Sequence, residues 1–557
     1  MNELSLLKLE RAKWSSYIDN NDIKKAVEYY NLYIEKLKKI NPQDNKVQDE
    51  INLAKNFFQL KVTYIANKLL NEKNYTKAVE LYNYAFKNDN RDINTVKNYI
   101  TCLYELKHHD LTLMLLRHLE SISGNNYDAL KYIYIMYFTM EYYSNAIEAI
   151  KKYITIKGEE NITPAEYDDL GIFYDKYSSI THNRSDRENS YYAFAKASDL
   201  APDVEKYANN ATVIAHTLGN IELARKYWER ILKINKMNNE SKYYYSMFCL
   251  RTGDFENWHK YYDGRLKKEH NRPYYPELKN TMWNGTQDLS NSTLLIYCEQ
   301  GYGDTFWIWG YMPHIIKLAK NVIFIVQDCI YDLLKDNEYG VKVYSKDTVN
   351  IDDLIYDFYI YSMSVPTALK LDKNNISVGE GYIKSKPELI FLMKNKYFSS
   401  NKFKIGISFK GHTDGNASRN IEIKEFLLLD ELENIEIYNF TQGISDEEFK
   451  IFKNNKVKNI VNDFKNFNET AAALINCDLL LTSDNCILNL AGALGVKTFA
   501  LFNWAYELRW FDLTGENVIY YTSVKPYICD DLDNWQSAMI PAVNDIKKFI
   551  LSKQESL

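Results

Sequence analysis

The stretch Asp478 to Trp504, DLLLTSDNCILNLAGALGVKTFALFNW, decides the fold. It reads strand, turn, helix, turn, strand. An apolar run, Asp478–Thr482, leads into the polar turn Ser483-Asp484-Asn485. A helix over Cys486–Leu494 follows, then a second apolar run, Thr498–Phe502. Ala491, Gly492, Ala493 and Gly495 are small, so this helix can lie close to its sheet. Its N-terminus carries a partial positive charge suited to a phosphate. Asp484 would repel a phosphate and is better placed as a helix cap or as an acceptor from a sugar hydroxyl. A plain βαβ unit with a capped helix is an equally good reading of these residues alone.

A second strand-to-helix turn lies upstream. Thr293 to Cys298 is a short apolar run and reads as a buried strand. It leads into Glu299-Gln300-Gly301-Tyr302-Gly303-Asp304-Thr305-Phe306-Trp307, EQGYGDTFW. A helix over Ile308–Lys320 follows, with Pro313 near its middle. Gly301 and Gly303 let a ligand approach the backbone, and the helix start offers unpaired N–H groups. Asp304, at the carboxyl end of a strand, is placed to act as a general base. The simpler alternative makes Asp304 a helix N-cap and the glycines a turn.

Between and beyond these stretches, strands and helices alternate. One strand series is Thr293–Cys298, Val322–Gln327, Val341–Tyr344 and Asp357–Tyr361. The other is Lys404–Phe409, Ile435–Phe440, Val457–Val461, Asp478–Thr482, Thr498–Phe502 and Val518–Tyr521. Helices fall between them, for instance over Glu469–Asn476. Such alternation predicts parallel sheets covered on both faces. The polar stretch Lys384–Lys402 divides two Rossmann-like lobes, and a last helix near Val543–Ser552 is placed to cross back and close the pair. In the second lobe, GISFKGHTDGNASRNIEI (Gly406–Ile423) runs from a strand into a polar loop with Gly411, His412, Gly415, Ser418 and Arg419. Lys410 and Arg419 could neutralise a diphosphate leaving group in a cleft; otherwise they are solvated loop charges. His412 reads as an ordinary polar loop residue.

The first half carries a different signal. From Met1 to about Arg265 the pattern is helical, interrupted by Pro42, Pro164 and Pro202. Tyr75, Ala78 and Tyr82 recur as Tyr143, Ala146 and Ile150, two periods of 34 residues later, with Leu111–Leu119 between. Ser190, Phe194 and Ala197, then Ala224 and Trp228, then Trp258 and Tyr262 continue the period, and Gly219 and Gly253 fall at its turns. Ala66 faces Ala78 so that a helix pair can pack closely. A period of about 34 residues resembles the tetratricopeptide repeat. Ala26, Tyr30 and Tyr33 mark a degenerate capping unit in residues 1–50, and Gly158–Arg187 holds about ten extra residues, expected as a long loop. Such arrays offer a face for a protein or peptide, or serve as a scaffold for assembly.

Composition narrows the classes further. A chain of 557 residues needs several cores. A net charge of −6 gives no reason to propose nucleic acid, and the short basic run Arg265–Arg272 reads as a solvated linker. No run approaches the ~18 apolar residues of a membrane span. The N-terminus lacks a signal-peptide core. Seven scattered cysteines, none in a CxxC pair, suit a reducing cytoplasm rather than a disulfide frame or zinc site. HExxH, GxGxxG and P-loop motifs are absent. Asp531-Leu532-Asp533 is an isolated DxD and reads as a helix-start cap.

EQGYGDTFW, the loop with Lys410 and Arg419, and SDNCILNLAGALG together resemble bacterial tetratricopeptide proteins with a C-terminal glycosyltransferase domain. That domain is similar to family 9 heptosyltransferases and, more distantly, to protein O-GlcNAc transferases. GDFENWHKYYDGR and TMWNG resemble the terminal repeat and linker of such proteins. The resemblance implies an α-helical solenoid followed by an α/β GT-B pair of Rossmann-like lobes. The expected segments are repeats over 1–265, a linker over 266–290, an acceptor-side lobe over 291–385, a connector over 386–402 and a nucleotide-sugar lobe with a C-terminal helix over 403–557. It also implies an inverting transfer without a metal or other cofactor, from a nucleotide-sugar to a Ser or Thr hydroxyl of a protein held by the repeats. Asp304 falls on the proposed base, and Arg419 near the cation that holds the donor phosphate. Lys410, Asp484, Asn485, Cys486 and Asn489 are the other expected donor-binding residues. Glu299, Gln300, Gly301, Gly303 and Thr305 form the cleft loop on the acceptor side, with Glu299 the next carboxylate that could serve as base. Related sequences carry Thr and His where this chain has Asn485 and Asn489. The alternatives are transfer to a surface glycan or lipid-linked acceptor, and a non-catalytic repeat scaffold.

Overall fold

The 34-residue period is realised as paired helices. The computed structural model describes residues 13–17, 23–40, 45–234, 239–267, 275–411, 419–452, 456–504, 510, 520–531 and 534–555. Two units form, Met1–Ile180 and Thr181–Leu557. The first holds α1 (Ile23–Ile40), α2 (Asn45–Asn71), α3 (Tyr75–Asn88), α4 (Ile93–Glu105), α5 (His109–Ile122), α6 (Tyr127–Thr139), α7 (Tyr143–Lys157) and α8 (Pro164–Thr181). Ala66 and Ala78 are fully buried where α2 meets α3. The turns within the pairs are left-handed at Lys73, Lys107 and Glu141, positions 34 residues apart that carry no glycine. Side-chain caps repeat too: Asp92 accepts the Asn94 N–H and Asn126 that of Ala129. The extra residues after Gly158 form a longer helix, α8, instead of the expected loop. Pro164 sits at its first position, where its missing N–H costs no helical bond.

A buried charge cluster lies at the start of α8. Glu166 is 4% exposed and accepts hydrogen bonds from the Thr163 N–H, the Tyr153 hydroxyl and Lys157. Burial opposes its charge, but these donors outweigh burial and bring its pKa down to about 2. A carboxylate with a depressed native pKa contributes stability that is present above its unfolded pKa and is lost as pH falls through the native one. The first unit is therefore expected to lose about 2–3 kcal/mol between pH 5 and pH 2 through this group. Glu166→Gln should remove that dependence from an acid-unfolding curve.

The second unit opens with α9 (Arg184–Leu200), α10 (Glu205–Thr217), α11 (Ile221–Lys233), α12 (Asn239–Thr252), α13 (Phe255–Tyr261) and a 3-10 turn over Tyr262–Lys267. Gly219 and Gly253 adopt positive φ at the turns, as the period requires. Two all-parallel sheets follow. The first joins β1 (Thr281–Met282), β2 (Thr293–Tyr297), β3 (Asn321–Val326), β4 (Lys342–Ser345) and β5 (Phe358–Tyr361) in the order β1-β5-β2-β3-β4. The second joins β6 (Phe403–Ser408), β7 (Ile435–Asn439), β8 (Val457–Asn459), β9 (Leu479–Ser483), β10 (Thr498–Phe502) and β11 (Val524–Ile528) in the order β11-β10-β9-β6-β7-β8. The chain is thus a helical solenoid followed by two Rossmann-like lobes.

Several elements differ from expectation for physical reasons. The helix expected over Ile308–Lys320 is two, α14 (Tyr302–Trp309) and α15 (Met312–Leu318). The break falls at Gly310-Tyr311 because Pro313 fits only a first turn. α16 (Asp328–Leu334) and α17 (Val365–Ala368) complete the first lobe. The segment read as extended linker supplies β1, and the polar divide contains α18 (Pro387–Tyr397). In the second lobe α19 (Phe467–Leu474) and α20 (Cys486–Leu494) flank β9. The last strand among the described residues is Val524–Ile528; the strand expected over Val518–Tyr521 begins at residues 518–519, which lie outside the described residues. Val524–Ile528 contains Pro526, which an edge strand tolerates. The last helix, α21 (Trp535–Glu555), is longer than expected, and its Met539, Ala542, Val543 and Ile546 join the second sheet's core with Ile405, Leu479 and Leu501.

Candidate active site

Strand order fixes where a ligand site can form. In the first sheet β2 is followed by β3 and β4 on one side, while β5 lies on the other. The order reverses at β2, whose carboxyl end carries Glu299–Asp304. In the second sheet it reverses between β6 and β9, whose carboxyl ends carry Lys410-Gly411 and Ser483–Asn485. Open parallel sheets bind ligands outside such switch points. Both open onto one cavity of about 1490 Å³ within the second unit.

Gln300, Gly301, Gly303 and Asp304 line this cavity from the first lobe, and Lys410, Arg419, Asp484, Asn485, Cys486 and Asn489 from the second. Two expected residues do not. Thr305 is buried and donates to Gln327 Oε1 at 2.8 Å, and Glu299 is buried in an ion pair with Arg265. That pair also overturns the reading of Arg265 as a solvated linker cation, since its side chain is 1% exposed. His412, Gly415, Ser418, Leu532 and Asp533 lie outside the described residues.

Gly301, not Asp304, is the N-cap of α14. Asp304 sits at the third helical position, 6% exposed, and its Oδ2 accepts the Gly301 N–H at 2.9 Å. Gln300 before it takes a left-handed φ of 60°, which turns the chain sharply out of β2. Gly303 brings the lobes together: a Cβ there would lie 2.7 Å from Asn489 Nδ2 and 3.4 Å from Cys486 Cα. The N-terminal turns of α14 and α20 therefore touch backbone to backbone.

On the second lobe the cap of α20 is Asn485, not Asp484. Its Oδ1 accepts the N–H groups of Ile487 and Leu488 at 2.9 and 3.3 Å. Its Nδ2 lies 3.1 Å from Ser408 Oγ and 3.2 Å from Ser483 Oγ, so one side chain ties the ends of β6 and β9 across the switch point. Asparagine caps as well as threonine, so this departure from the related pattern keeps the helix start intact. Asn489 is likewise held: Nδ2 donates to the Asn485 carbonyl, and Oδ1 accepts the Tyr521 hydroxyl at 2.9 Å. Asp484 lies 3.9 Å from Arg419 Nη1 and is 3% exposed. Burial pushes the Cys486 thiol up to about 12, so it stays a neutral thiol near pH 7.

Sequence reasoning missed the rest of the wall. Lys346, at the end of β4, and Gln327 line the cavity from the first lobe. α10, α11 and α12 contribute Asn209, Val213, His216, Trp228, Tyr244 and Arg251. Burial, aided by Arg251, brings the His216 pKa down to about 4, so the ring is neutral and accepts from Trp228 Nε1 at 3.4 Å. Trp504, after β10, fills the turn at Gly219, where a Cβ would come within 2.8 Å of the indole.

No family model matches the chain. Protein FlbA of Caulobacter vibrioides is 22% identical over 442 residues, 73% of this chain and 71% of that protein. Among solved structures, the glycosyl transferase family 9 protein from Veillonella parvula aligns at 11% identity with a TM-score of 0.38, covering 48% of this chain and 99% of its own. PilF of Pseudomonas aeruginosa aligns at 14% with a TM-score of 0.29, covering 40% of this chain and 93% of its own. MamA from Desulfovibrio magneticus RS-1 aligns at 14% with a TM-score of 0.27, covering 32% and 94%. The fold described above rests on the chain's own sheets and helices.

Among the described residues no helix is long and apolar enough to cross a membrane. No group of three or more His, Cys, Asp or Glu residues gathers there as metal ligands.

Proposed function

We propose that the chain is an inverting glycosyltransferase that moves a sugar from a nucleotide-sugar to a protein hydroxyl, without a metal. One observation carries this reading. Two switch-point loops, one bearing a carboxylate and the other two cations, line a single cavity. In the proposed reaction Asp304 takes the proton of a Ser or Thr hydroxyl as its oxygen attacks the anomeric carbon. The bond from that carbon to the diphosphate breaks on the opposite face. Lys410 and Arg419 stabilise the departing diphosphate, as does the positive end of α20. Asn485 already accepts the Ile487 and Leu488 N–H groups, so the phosphate would meet the Cys486 N–H and the helix dipole. The wall of α10–α12 belongs to the same cavity, which supports an acceptor held by the repeats.

Calorimetry against a panel of nucleoside diphosphates and nucleotide-sugars tests the reading first. One nucleotide class should bind, and the matching sugar should then appear as a mass increment on a Ser or Thr of an acceptor protein. Binding of none of the panel would favour the non-catalytic scaffold. Transfer to isolated saccharide but to no protein would favour a glycan acceptor.

A further inference from the structure

We infer that Arg265 and Glu299 are positioning residues that hold the Asp304 loop in register with the helical wall of the cavity; this rests on the proposed transferase reading. The pair is a long-range one, joining the last turn of the helices to the end of β2. Arg265 Nη2 lies 2.6 Å from Glu299 Oε1 and Nε lies 3.3 Å from Oε2, with both side chains 1% exposed. Further donors and acceptors converge on the pair. Arg265 donates to Asp263 and to Ser364 Oγ, the latter at 2.7 Å, and its guanidinium lies 4.5 Å from the Tyr262 ring centre. Glu299 Oε1 also accepts the Met363 N–H at 2.9 Å, and the Glu299 N–H donates to Ser362 Oγ.

A buried ion pair of this kind contributes little net stability, because desolvation offsets the attraction. Its geometric effect is specific. Glu299 immediately precedes the left-handed Gln300, and Gly301 then donates to Asp304. Fixing the Glu299 carboxylate therefore fixes where the turn starts and where Asp304 points. On the other side of Arg265, Gly264 lies against the start of α12, where a Cβ would come 2.9 Å from the Asn239 carbonyl and 3.2 Å from Lys242 Cβ. α12 supplies Tyr244 and Met247 to the cavity. A continuous chain of close contacts thus runs from the helical wall, through Gly264, Arg265 and Glu299, to the carboxylate at 304. An acceptor seated on that wall and the base that deprotonates it share one frame.

Two measurements on the full chain test this. Glu299→Gln and the apolar pair Arg265→Met/Glu299→Leu are compared with wild type for melting temperature, donor affinity, acceptor KM and turnover. Misplacing a reacting group by about 1 Å costs about 100-fold. Both variants are therefore expected to lose about 10- to 100-fold in kcat, with donor affinity and acceptor KM within about threefold. The apolar pair should recover the melting temperature, since a buried ion pair exchanges for apolar packing at little cost. Recovery of turnover together with melting temperature would show that the pair only stabilises, and would overturn the inference. The second measurement needs no activity: amide exchange at Gly301 should quicken by about tenfold or more in Glu299→Gln, and unchanged exchange overturns the inference. If wild type transfers no sugar, the functional reading fails, and the exchange result alone decides the role of the pair. If the apolar pair does not fold, Glu299→Gln decides it.

Discussion

Asp304→Asn is expected to lower turnover by about 10²–10⁴-fold, the range for loss of a positioned general base. Asparagine is the informative replacement because of what Asp304 does structurally. Its Oδ2 accepts the Gly301 N–H, which closes the first turn of α14. An asparagine Oδ1 can accept the same bond, so the first turn stays closed and only the charge and basicity are lost. Melting temperature and donor affinity should therefore stay near wild type while kcat falls. Asp304→Ala removes the bond to the Gly301 N–H as well and should cost about 1 kcal/mol of stability in addition. Unimpaired turnover in Asp304→Asn would take the proton-abstracting role away from this residue. Glu299 cannot inherit that role in this fold, since both of its oxygens face Arg265 in the protein interior.

The second large effect belongs to Arg419. Arg419→Ala should reduce turnover by about two orders of magnitude, the loss typical of one charge-stabilising group at a transition state. The structure gives a reason for the loss to be severe. Asp484 is buried 3.9 Å from the guanidinium. Removing the cation therefore also leaves an anion facing the departing diphosphate, and the two effects have the same sign. Pairing Arg419→Ala with Asp484→Asn separates them. The double variant should regain part of the lost rate, because the repulsion is gone while the attraction is still missing. A double variant no faster than Arg419→Ala would show that Asp484 is not felt at the reacting centre, and wild-type rates in both would remove Arg419 from the mechanism.

Much of the fold is readable in the residues because its elements leave strong patterns. Parallel strands covered on both faces are continuous apolar runs, so β2, β6, β9 and β10 stand out within a residue or two of their ends. The helical pairs announce themselves by small residues such as Ala66, Ala78 and Ala146, which are fully buried. β11 was hidden by Lys525 and Pro526, which an edge strand accepts and a central one would not. The two site loops were visible as glycines and polar residues between a strand and a helix. Their division of labour was not. Which of Asp484 and Asn485 caps α20 depends on the residue at which the turn becomes helix, and both residue types cap equally well. That Glu299 faces inward while Asp304 faces the cavity depends on Arg265, 34 positions away. The wall of α10–α12 had no signal, because Asn209, His216 and Tyr244 fit a repeat helix as well as a ligand.

The seat of Trp504 has a mechanical consequence. Gly219 leaves room for that indole on the second lobe, while Arg265, farther along the same run of helices, is plugged into the first. Those helices act as a splint across the crevice. A wide hinge opening would have to break contacts at both ends of this run, so substrates are expected to thread in from the rim. Filling the cavity should leave the spacing of the two parallel sheets, read between a label on each, nearly unchanged.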